Sequence, residues 1–294
     1  QYDGPPALHM PTAVAIGPGG DVYVTDGALD RIVIFAPDGS LREEFQTVGE
    51  ETLAQPISLK FDRQGILWIA DTGHGRVLAR NPDGSLARVI RCPPAPDARH
   101  SPDITDVAVN ADGTRIWLAD NDNHRLLRYD VAGATFSSTG ERGQSLGQLY
   151  YPFMLALGPT GDVFVSEPVT GRVQIFDAAG RVVRSLGTYG ADLGQFYRPK
   201  GIAIDADGNA WVVDGTLGVV QVFRPTGSLL GVLCEPGGQP LKLVSPAGIA
   251  FDADGNLYVA EVSAHRVHKF ALKVDPDVAP PMLPRRTTVT PLQP

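Results

Sequence analysis

The feature that most constrains this chain is a unit of 45 to 50 residues that occurs six times. Each copy opens with a proline, and these are Pro11, Pro56, Pro102, Pro152, Pro199 and Pro246. A unit of this length cannot bury its apolar surface alone, so neighbouring copies must stack. The chain is therefore expected to form one repeat architecture rather than two unrelated domains.

Each unit contains short apolar runs separated by turn residues, as in PAGIAF, NLYVAE and RVHKF of the sixth copy. The runs are four to six residues long, rich in Val, Ile, Phe and Tyr, and bounded by Gly, Asp or Pro. This pattern indicates β-strands joined by hairpins, with most sheets apolar on both faces. Four such strands per unit predict a six-bladed β-propeller of four-stranded antiparallel blades.

The six units span residues 11–272 and leave no room for a second domain. We expect residues 1–10 to be an N-terminal segment that closes the last blade, and residues 273–294 to be a proline-rich tail or linker. The sixth unit lacks an obvious fourth strand, for which residues 1–9 and the RTTVT segment near Thr287 are both candidates. Pro5 and Pro6 weaken the first alternative, because proline has no N–H to donate within a sheet.

The most complete copies of the repeat contain PKGIAIDADGNAWVVD and PAGIAFDADGNLYVAEVSAHRVHKF. The third and fourth copies end in GERGQSLGQLYYP and GTYGADLGQFYRP. Over nearly the whole chain these segments resemble the NHL-repeat family of β-propellers. The resemblance implies the fold and leaves the function open, because the family includes RNA-binding, receptor-ectodomain, protein-scaffold and lyase members.

The net charge and the first residue of the chain bear on its partners and on its location. The formal net charge is −8 at pH 7, and binding to nucleic acid depends on Lys and Arg that neutralise phosphates. Nucleic acid is therefore disfavoured as a partner. No apolar run approaches the roughly 18 residues of a membrane-spanning helix. Because the chain begins at Gln1 rather than Met, we expect a processed protein of the periplasm or extracellular space.

The two cysteines are predicted to be unpaired. Cys92 and Cys234 lie at the ends of the outer strands of blades two and five, which are opposite each other in the ring. A disulfide needs Cα atoms within about 7 Å, so no bond is expected between them.

An acidic residue ends the second strand of every unit: Asp26, Asp71, Asp120, Glu167, Asp214 and Glu261. A short acidic side chain at a strand end accepts hydrogen bonds from backbone N–H groups of a nearby loop, so we interpret the set as structural. His124 and His265 occupy one column of the repeat, in blades too distant to share a metal ion. No protein metal site is predicted, and a divalent cation in the axial channel stays open as an alternative.

The positions that differ between units lie where each segment enters the innermost strand. Their mixture of acid, base, imidazole and aromatic ring is typical of a binding mouth, although varied surface loops have a similar composition. The candidate binding residues are His9, Thr12, Gln55, His100, Asp103, Tyr151, Phe153, Arg198 and Lys200.

Catalytic signatures are sparse in this sequence. It contains no G-x-S-x-G elbow, no H-E-x-x-H pair and no glycine loop of the phosphate-binding type. The zinc lyases that act on α-hydroxyglycine peptides share the fold and place a P-H pair at the starts of three inner strands. They also carry an Arg and a Tyr directly after second-strand acids. Here no proline precedes a histidine, and the residues after the acids are Gly27, Thr72, Asn121, Pro168, Gly215 and Val262.

The sequence therefore favours a non-catalytic recognition or scaffold propeller that binds a protein, peptide or glycan over the axial face. The alternative is a lactonase-like hydrolase or lyase that acts in the central pocket, with or without the divalent cation. The lyase zinc pattern described above is not part of this alternative.

Overall fold

The computed structural model describes residues 8–96, 100–235, 238–272, 282–284 and 289–292. These residues form the six four-stranded antiparallel sheets of a β-propeller, which confirms the predicted fold class. In each blade the strands run in chain order from an inner strand at the axis to an outer strand. The helical segments in the described ranges are the 3-10 turns Gly27–Leu29 and Thr72–His74, and none there is long and apolar enough to cross a membrane.

The first three blades have regular strands of five or six residues. Blade one consists of Pro11–Ile16, Val22–Asp26, Arg31–Phe35 and Leu41–Phe45. Blade two consists of Pro56–Phe61, Leu67–Asp71, Arg76–Arg80 and Leu86–Arg91, and the hairpin Thr47–Val48 and Glu51–Thr52 precedes it. Blade three consists of Ile104–Val109, Arg115–Asp120, Arg125–Asp130 and Thr135–Thr139.

The last three blades include strands from the C-terminal region. Blade four consists of Leu155–Leu157, Val163–Glu167, Arg172–Phe176 and Val182–Leu186. Blade five consists of Pro199–Ile204, Ala210–Asp214, Val219–Phe223 and Leu229–Cys234, with Met282–Pro284 added in parallel to its outer edge. Blade six consists of Pro246–Phe251, Leu257–Glu261, Arg266–Phe270 and Val289–Leu292.

The core lies between blades rather than within one central cluster. Six clusters of buried apolar side chains each join two neighbouring blades, and the cluster of blades six and one closes the ring. At the boundary of blades four and five, Phe196 packs against Phe223 with ring centroids 5.3 Å apart. Burying a side chain of this size stabilises the fold by about 1.5–3 kcal/mol. The second strands are apolar on both faces because each is covered from both sides.

The outer strand of blade six comes from the C-terminal region. Val289–Leu292 pairs antiparallel with Arg266–Phe270, so the paired residues overlap the RTTVT segment. Leu8 is buried in the cluster between blades six and one, while residues 1–7 and 273–281 lie outside the described ranges. The division into N-terminal segment, propeller and tail stays a prediction.

Both cysteines are free thiols, as the sequence predicted. Cys234 ends the outer strand of blade five, and Cys92 directly follows the outer strand of blade two. Burial raises the pKa of the Cys92 thiol to about 12, so this thiol is protonated near neutral pH.

Candidate functional site

The upper face of the propeller, as we call it, is the face where the inner strands begin. Because neighbouring strands are antiparallel, the second strands end at this same face. Pro11 is paired with Asp26 in blade one, and Pro199 with Asp214 in blade five. The residues that lead into the inner strands and those that follow the second-strand acids therefore share one surface.

The second-strand acids form a buried layer just beneath the upper face. In blade one, the carboxylate of Asp26 accepts the backbone N–H of Met10 at 2.8 Å. Asp71, Asp120, Glu167, Asp214 and Glu261 likewise accept backbone N–H groups of Ala54, Asp103, Tyr150, Tyr197 and Val244, respectively. Hydrogen bonds to a charged group contribute about 1.5–3 kcal/mol each. The layer attaches each inner strand to its own blade, which confirms the structural interpretation of the acids.

Five members of this layer also pair with an arginine five residues later in the chain. These arginines are Arg31, Arg76, Arg125, Arg172 and Arg266. Blade five has Val219 at that position, and Asp214 instead accepts the backbone N–H groups of Thr216 at 3.0 Å and Leu217 at 2.8 Å. In blade five, backbone N–H groups thus take the place that the arginine holds in the other blades.

Blade three enters its inner strand two residues later than the sequence alignment predicted. Ile104, not Pro102, is paired with Asp120, in the place that Pro199 holds opposite Asp214. The alignment of Pro102 with the other opening prolines was therefore wrong. Pro102 lies within the lead-in segment, two residues before the inner strand, and a comparison of prolines alone cannot detect this offset.

This shift changes the position of Asp103 in the repeat. Its backbone N–H bonds the carboxylate of Asp120 at 2.9 Å, just as the N–H of Arg198 bonds Asp214 at 3.0 Å. Asp103 therefore lies immediately before the inner strand rather than within it. Along blades three, four and five, this position is held by an acid, an aromatic ring and a base, because Tyr151 is the equivalent residue of blade four.

Four of the predicted binding residues line one cavity of about 380 Å³ on the upper face. We call it the upper-face pocket, and its lining residues are Asn121, Tyr151, Phe153, Pro168, Val169, Arg198 and Lys200. They belong to blades three, four and five. A volume of this size lies within the range of small-ligand sites, about 300–1,000 Å³.

The two cations of the pocket, Arg198 and Lys200, flank Pro199 at the start of blade five. Burial lowers the pKa of Lys200 and the positive charge of Arg198 lowers it further, whereas Asp214 opposes the shift. Within the described ranges, neither cation has a carboxylate within ion-pair distance. Both charges thus face the pocket without a direct counter-ion.

Gly215 makes room for the side chain of Lys200. A Cβ atom at position 215 would lie 2.8 Å from Cε of Lys200 and 3.1 Å from the carbonyl oxygen of Pro246. Real Cβ atoms do not approach other atoms so closely, so the aliphatic part of the lysine packs on the glycine backbone. This contact places the lysine stem beside the residue that follows the second-strand acid of its own blade.

His124 positions Tyr151, at the aromatic side of the pocket. Nδ1 of the buried His124 ring accepts the backbone N–H of Tyr151 at 3.1 Å, and the two rings meet edge-on at 4.4 Å. Burial lowers the pKa of His124, which favours the neutral ring that can accept this hydrogen bond. Tyr151 has φ of 53°, but Gln55 and Ser245 share this conformation, so it belongs to the repeat rather than to the pocket.

Three predicted residues on other blades lie outside the upper-face pocket, and the contacts of Thr12 and His9 join neighbouring blades. The hydroxyl of Thr12 donates to the carbonyl oxygen of Ile57 at 2.8 Å, which links blades one and two. The carbonyl oxygen of His9 accepts a hydrogen bond from Nδ1 of His265 at 2.8 Å, which links the chain start to blade six. Gln55 is exposed at the start of blade two. Their binding role stays a prediction.

The last two predicted residues lie on blade three. The exposed His100 lines a second, polar cavity of about 400 Å³ together with Asp122 and Arg142. Asp103 is half-buried, and burial, together with the charges of Asp122 and Asp120, raises its pKa to about 6. Asp103 is therefore an acid whose charge is unfavourable in the absence of a bound cation or donor.

The lower face has a different cavity of about 290 Å³, at the ends of the six inner strands. Its lining is mostly aliphatic, as at Val14, Leu155 and Ile249, and Lys60 supplies the charge. Across the described ranges, no three His, Cys, Asp or Glu side chains lie close enough together to hold a metal ion. The channel lining does not supply the carboxylate set that a divalent cation prefers.

Sequence reasoning missed four residues that build the upper-face pocket. Asn121, Pro168 and Val169 line it, and His124 positions one of its rings. Asn121 and Pro168 stand in the column directly after the second-strand acids, which the sequence analysis used only to exclude a zinc site. The residues of that column differ from blade to blade. This variation is the signal that could have identified Asn121 and Pro168, because packing alone does not require it.

Comparison with known proteins supports the same architecture. The NHL repeat family matches residues 243–270, in the sixth unit of the chain. Together with the six four-stranded blades, this match confirms the resemblance to NHL-repeat propellers.

Three solved structures are similar over most of the chain. Catalytically inactive virginiamycin B lyase from Staphylococcus aureus, bound to quinupristin, is 16% identical with a TM-score of 0.66, over 92% of this chain and 84% of that one. An auxiliary nutrient binding protein from Bacteroides ovatus is 14% identical with a TM-score of 0.69, over 90% and 70%. A putative gluconolactonase is 18% identical with a TM-score of 0.65, over 87% and 86%. Identities this low show the fold alone.

Proposed function

We propose that this propeller is a non-catalytic recognition module that binds a protein, peptide or glycan over its upper face. The upper-face pocket is its anchor point. The observation that supports this proposal is one cavity lined by two aromatic rings of blade four and two cations of blade five, which have no ion-pair partner among the described residues.

The composition of the pocket fits recognition by a few dominant contacts. Tyrosine and arginine are enriched among the residues that supply most of the energy in interfaces, and Tyr151 and Arg198 both line this pocket. Aromatic faces also stack on sugar rings and apolar side chains. An anionic group of a ligand would stabilise the charges of the exposed Arg198 and the half-buried Lys200.

The test uses peptide and glycan arrays probed with the full chain. A pocket variant combines Tyr151→Ala, Phe153→Ala and Arg198→Ala. A control variant combines Arg63→Ala, Gln64→Ala and Thr160→Ala, which are exposed residues of the lower face, and it removes the same single positive charge. Circular dichroism checks that all three proteins are folded.

We expect ligands of the wild-type chain to be lost by the pocket variant and kept by the control, with a loss of affinity of at least about 100-fold, or about 2.7 kcal/mol. Ligands that survive in the folded pocket variant would overturn the proposal. The absence of any ligand for the folded wild-type chain would also count against it.

A hydrolase or lyase is the second candidate, favoured by the shifted pKa values of Asp103 and Lys200 at the upper face. Shifts of this kind, upward for an acid and downward for a lysine, occur at catalytic sites. Turnover of lactones and of cyclic depsipeptides, measured with and without added divalent cations, tests this candidate. Activity that is lost in Lys200→Met would favour it over recognition.

A further inference from the structure

The upper-face pocket separates positive charge from apolar surface. Arg198 and Lys200 lie at its blade-five side, where burial and then the positive charge of Arg198 lower the pKa of Lys200. Arg198 is exposed, whereas the buried Arg76 and Arg125 are each paired with a strand-end acid. A negative group placed between the two pocket cations would relieve their mutual repulsion, which no described side chain does by direct contact.

The remaining walls of the pocket are mainly apolar. Tyr151 and Phe153 supply aromatic rings, and Pro168 and Val169 supply aliphatic surface. Val169 is 51% exposed although it is a large apolar residue. Surface of this kind is stabilised when an apolar group of a ligand covers it, at about 25 cal/mol for each Å² removed from water.

Blade three carries two acids outside the lining of the pocket. Asp103 precedes the inner strand of that blade, and Asp122 lines the separate cavity of His100. Burial, followed by the negative charge of Asp122, raises the pKa of Asp103. These acids repel an anion, whereas the cations of blade five attract it. The anionic end of a ligand is thus directed to blade five, with its apolar part over blade four.

The net charge of the chain makes this local attraction specific. At −8, the protein as a whole repels anions at long range. Unspecific accumulation of anions on the surface is therefore disfavoured. An anion that binds must do so through the nearby cations and the walls of the pocket.

We propose that the upper-face pocket takes an anionic group, a carboxylate or a phosphate, carried on an aromatic or aliphatic body. The anion lies between Arg198 and Lys200, and the body lies against Tyr151 and Phe153. This inference rests on the proposed recognition function, because it names the ligand class of the same pocket.

The test compares N-acetylphenylalanine with its neutral carboxamide and with phenyl phosphate, by ligand-observed NMR titration of the full chain. The first probe has the expected anion and ring, and the carboxamide keeps the ring without the charge. A ligand of this size is expected to bind with a Kd of about 1 mM. We expect the carboxamide to bind about tenfold more weakly, because it loses a charge-assisted contact.

Two pocket variants and one control locate the site. Lys200→Met keeps the aliphatic stem that packs on Gly215, and it should weaken N-acetylphenylalanine about tenfold, as should Arg198→Met. Lys242→Met removes an exposed lysine from the loop that leads into blade six, and it should change the affinity less than about twofold. In the wild-type chain the affinity should fall as pH rises through the lowered pKa of Lys200, a dependence that Lys200→Met removes.

The possible results separate this inference from the recognition function. Tighter binding of phenyl phosphate assigns the pocket to phosphate, and tighter binding of N-acetylphenylalanine assigns it to carboxylate. Equal binding of the carboxamide, or no binding of either anion at about 10 mM, overturns the inference. Neutral array ligands that need the pocket but ignore Lys200→Met would overturn the anion class and leave the recognition role standing. Array ligands that bind outside the pocket would overturn the recognition role of the pocket and leave the anion class standing.

Discussion

Two layers of charge lie one above the other at the upper face, and they differ in how they are neutralised. The lower layer is the buried layer of second-strand acids, which lies just beneath the upper face. Asp120, for example, is fully buried and paired with Arg125. The upper layer, which we call the rim, consists of Asp103 on blade three, outside the pocket lining, and of Arg198 and Lys200 in the lining, and these three have no ion-pair partner in the described part of the chain. The lower layer recurs in all six blades, whereas the rim differs from blade to blade.

The difference separates residues that maintain the fold from residues that are available to a ligand. A buried charge that has all its partners stabilises the blade that holds it, and losing one partner is costly. A charge without a partner in a half-buried site lowers stability, and under the proposed function such a charge serves ligand binding. Substitutions in the two layers should therefore change the free energy of unfolding in opposite directions.

The largest effect is expected for Arg125→Met in the lower layer. It leaves Asp120 buried without its guanidinium partner, which should reduce the free energy of unfolding by about 3–5 kcal/mol. Urea denaturation measures the change, and Arg115→Met, at an exposed position on the neighbouring strand, is the control. A loss below about 1 kcal/mol would show that the pair is not part of a stabilising layer.

An intermediate effect is expected for Asp214→Asn, in the blade that lacks an arginine. The asparagine amide cannot accept all of the backbone N–H groups that the carboxylate accepts, so we expect a loss of about 2 kcal/mol. The matched change Asp120→Asn also leaves a buried arginine unpaired and should cost at least about 1 kcal/mol more. Equal losses in urea denaturation would remove the distinction between blade five and the other blades.

The smallest effect, and one of opposite sign, is expected for Asp103→Asn in the rim. The raised pKa of Asp103 means that the folded state loses stability as pH rises from 3.8 to about 6, because the charged form is disfavoured there. After allowance for solvent screening, the variant should be more stable than the wild type by about 1 kcal/mol at pH 7.

That gain should vanish below about pH 4, where the carboxyl is protonated in both the folded and the unfolded state. Thermal unfolding followed from pH 4 to pH 7 provides the measurement. The control is Asp207→Asn, an exposed turn residue. A stability loss at pH 7 would place Asp103 in the structural layer and contradict the comparison.

Much of the fold could be predicted from the sequence because its signals are local and repeated six times. The strand-end acids and the unpaired cysteines were predicted in the same way, from spacing and position within the unit. The alignment of Pro102 failed because this proline lies two residues before the inner strand of blade three, and a single proline does not set the register of a strand.

The candidate site could be predicted only in part. Tyr151, Phe153, Arg198 and Lys200 were selected by their variation between blades, and the tertiary structure brings them into one pocket. Thr12 was selected by the same rule but bonds a neighbouring blade. Variation marks a surface position, but it does not tell which way the side chain is directed.

The sequence by itself determined the six blades, because alternating apolar runs and turn residues are encoded locally in each unit. Only the tertiary structure decided that blades three, four and five share a pocket, and that its two cations have no ion-pair partner among the described side chains. Those facts depend on distances between residues that are about 30 to 80 positions apart in the chain, and these distances are set by the packing of one blade on the next.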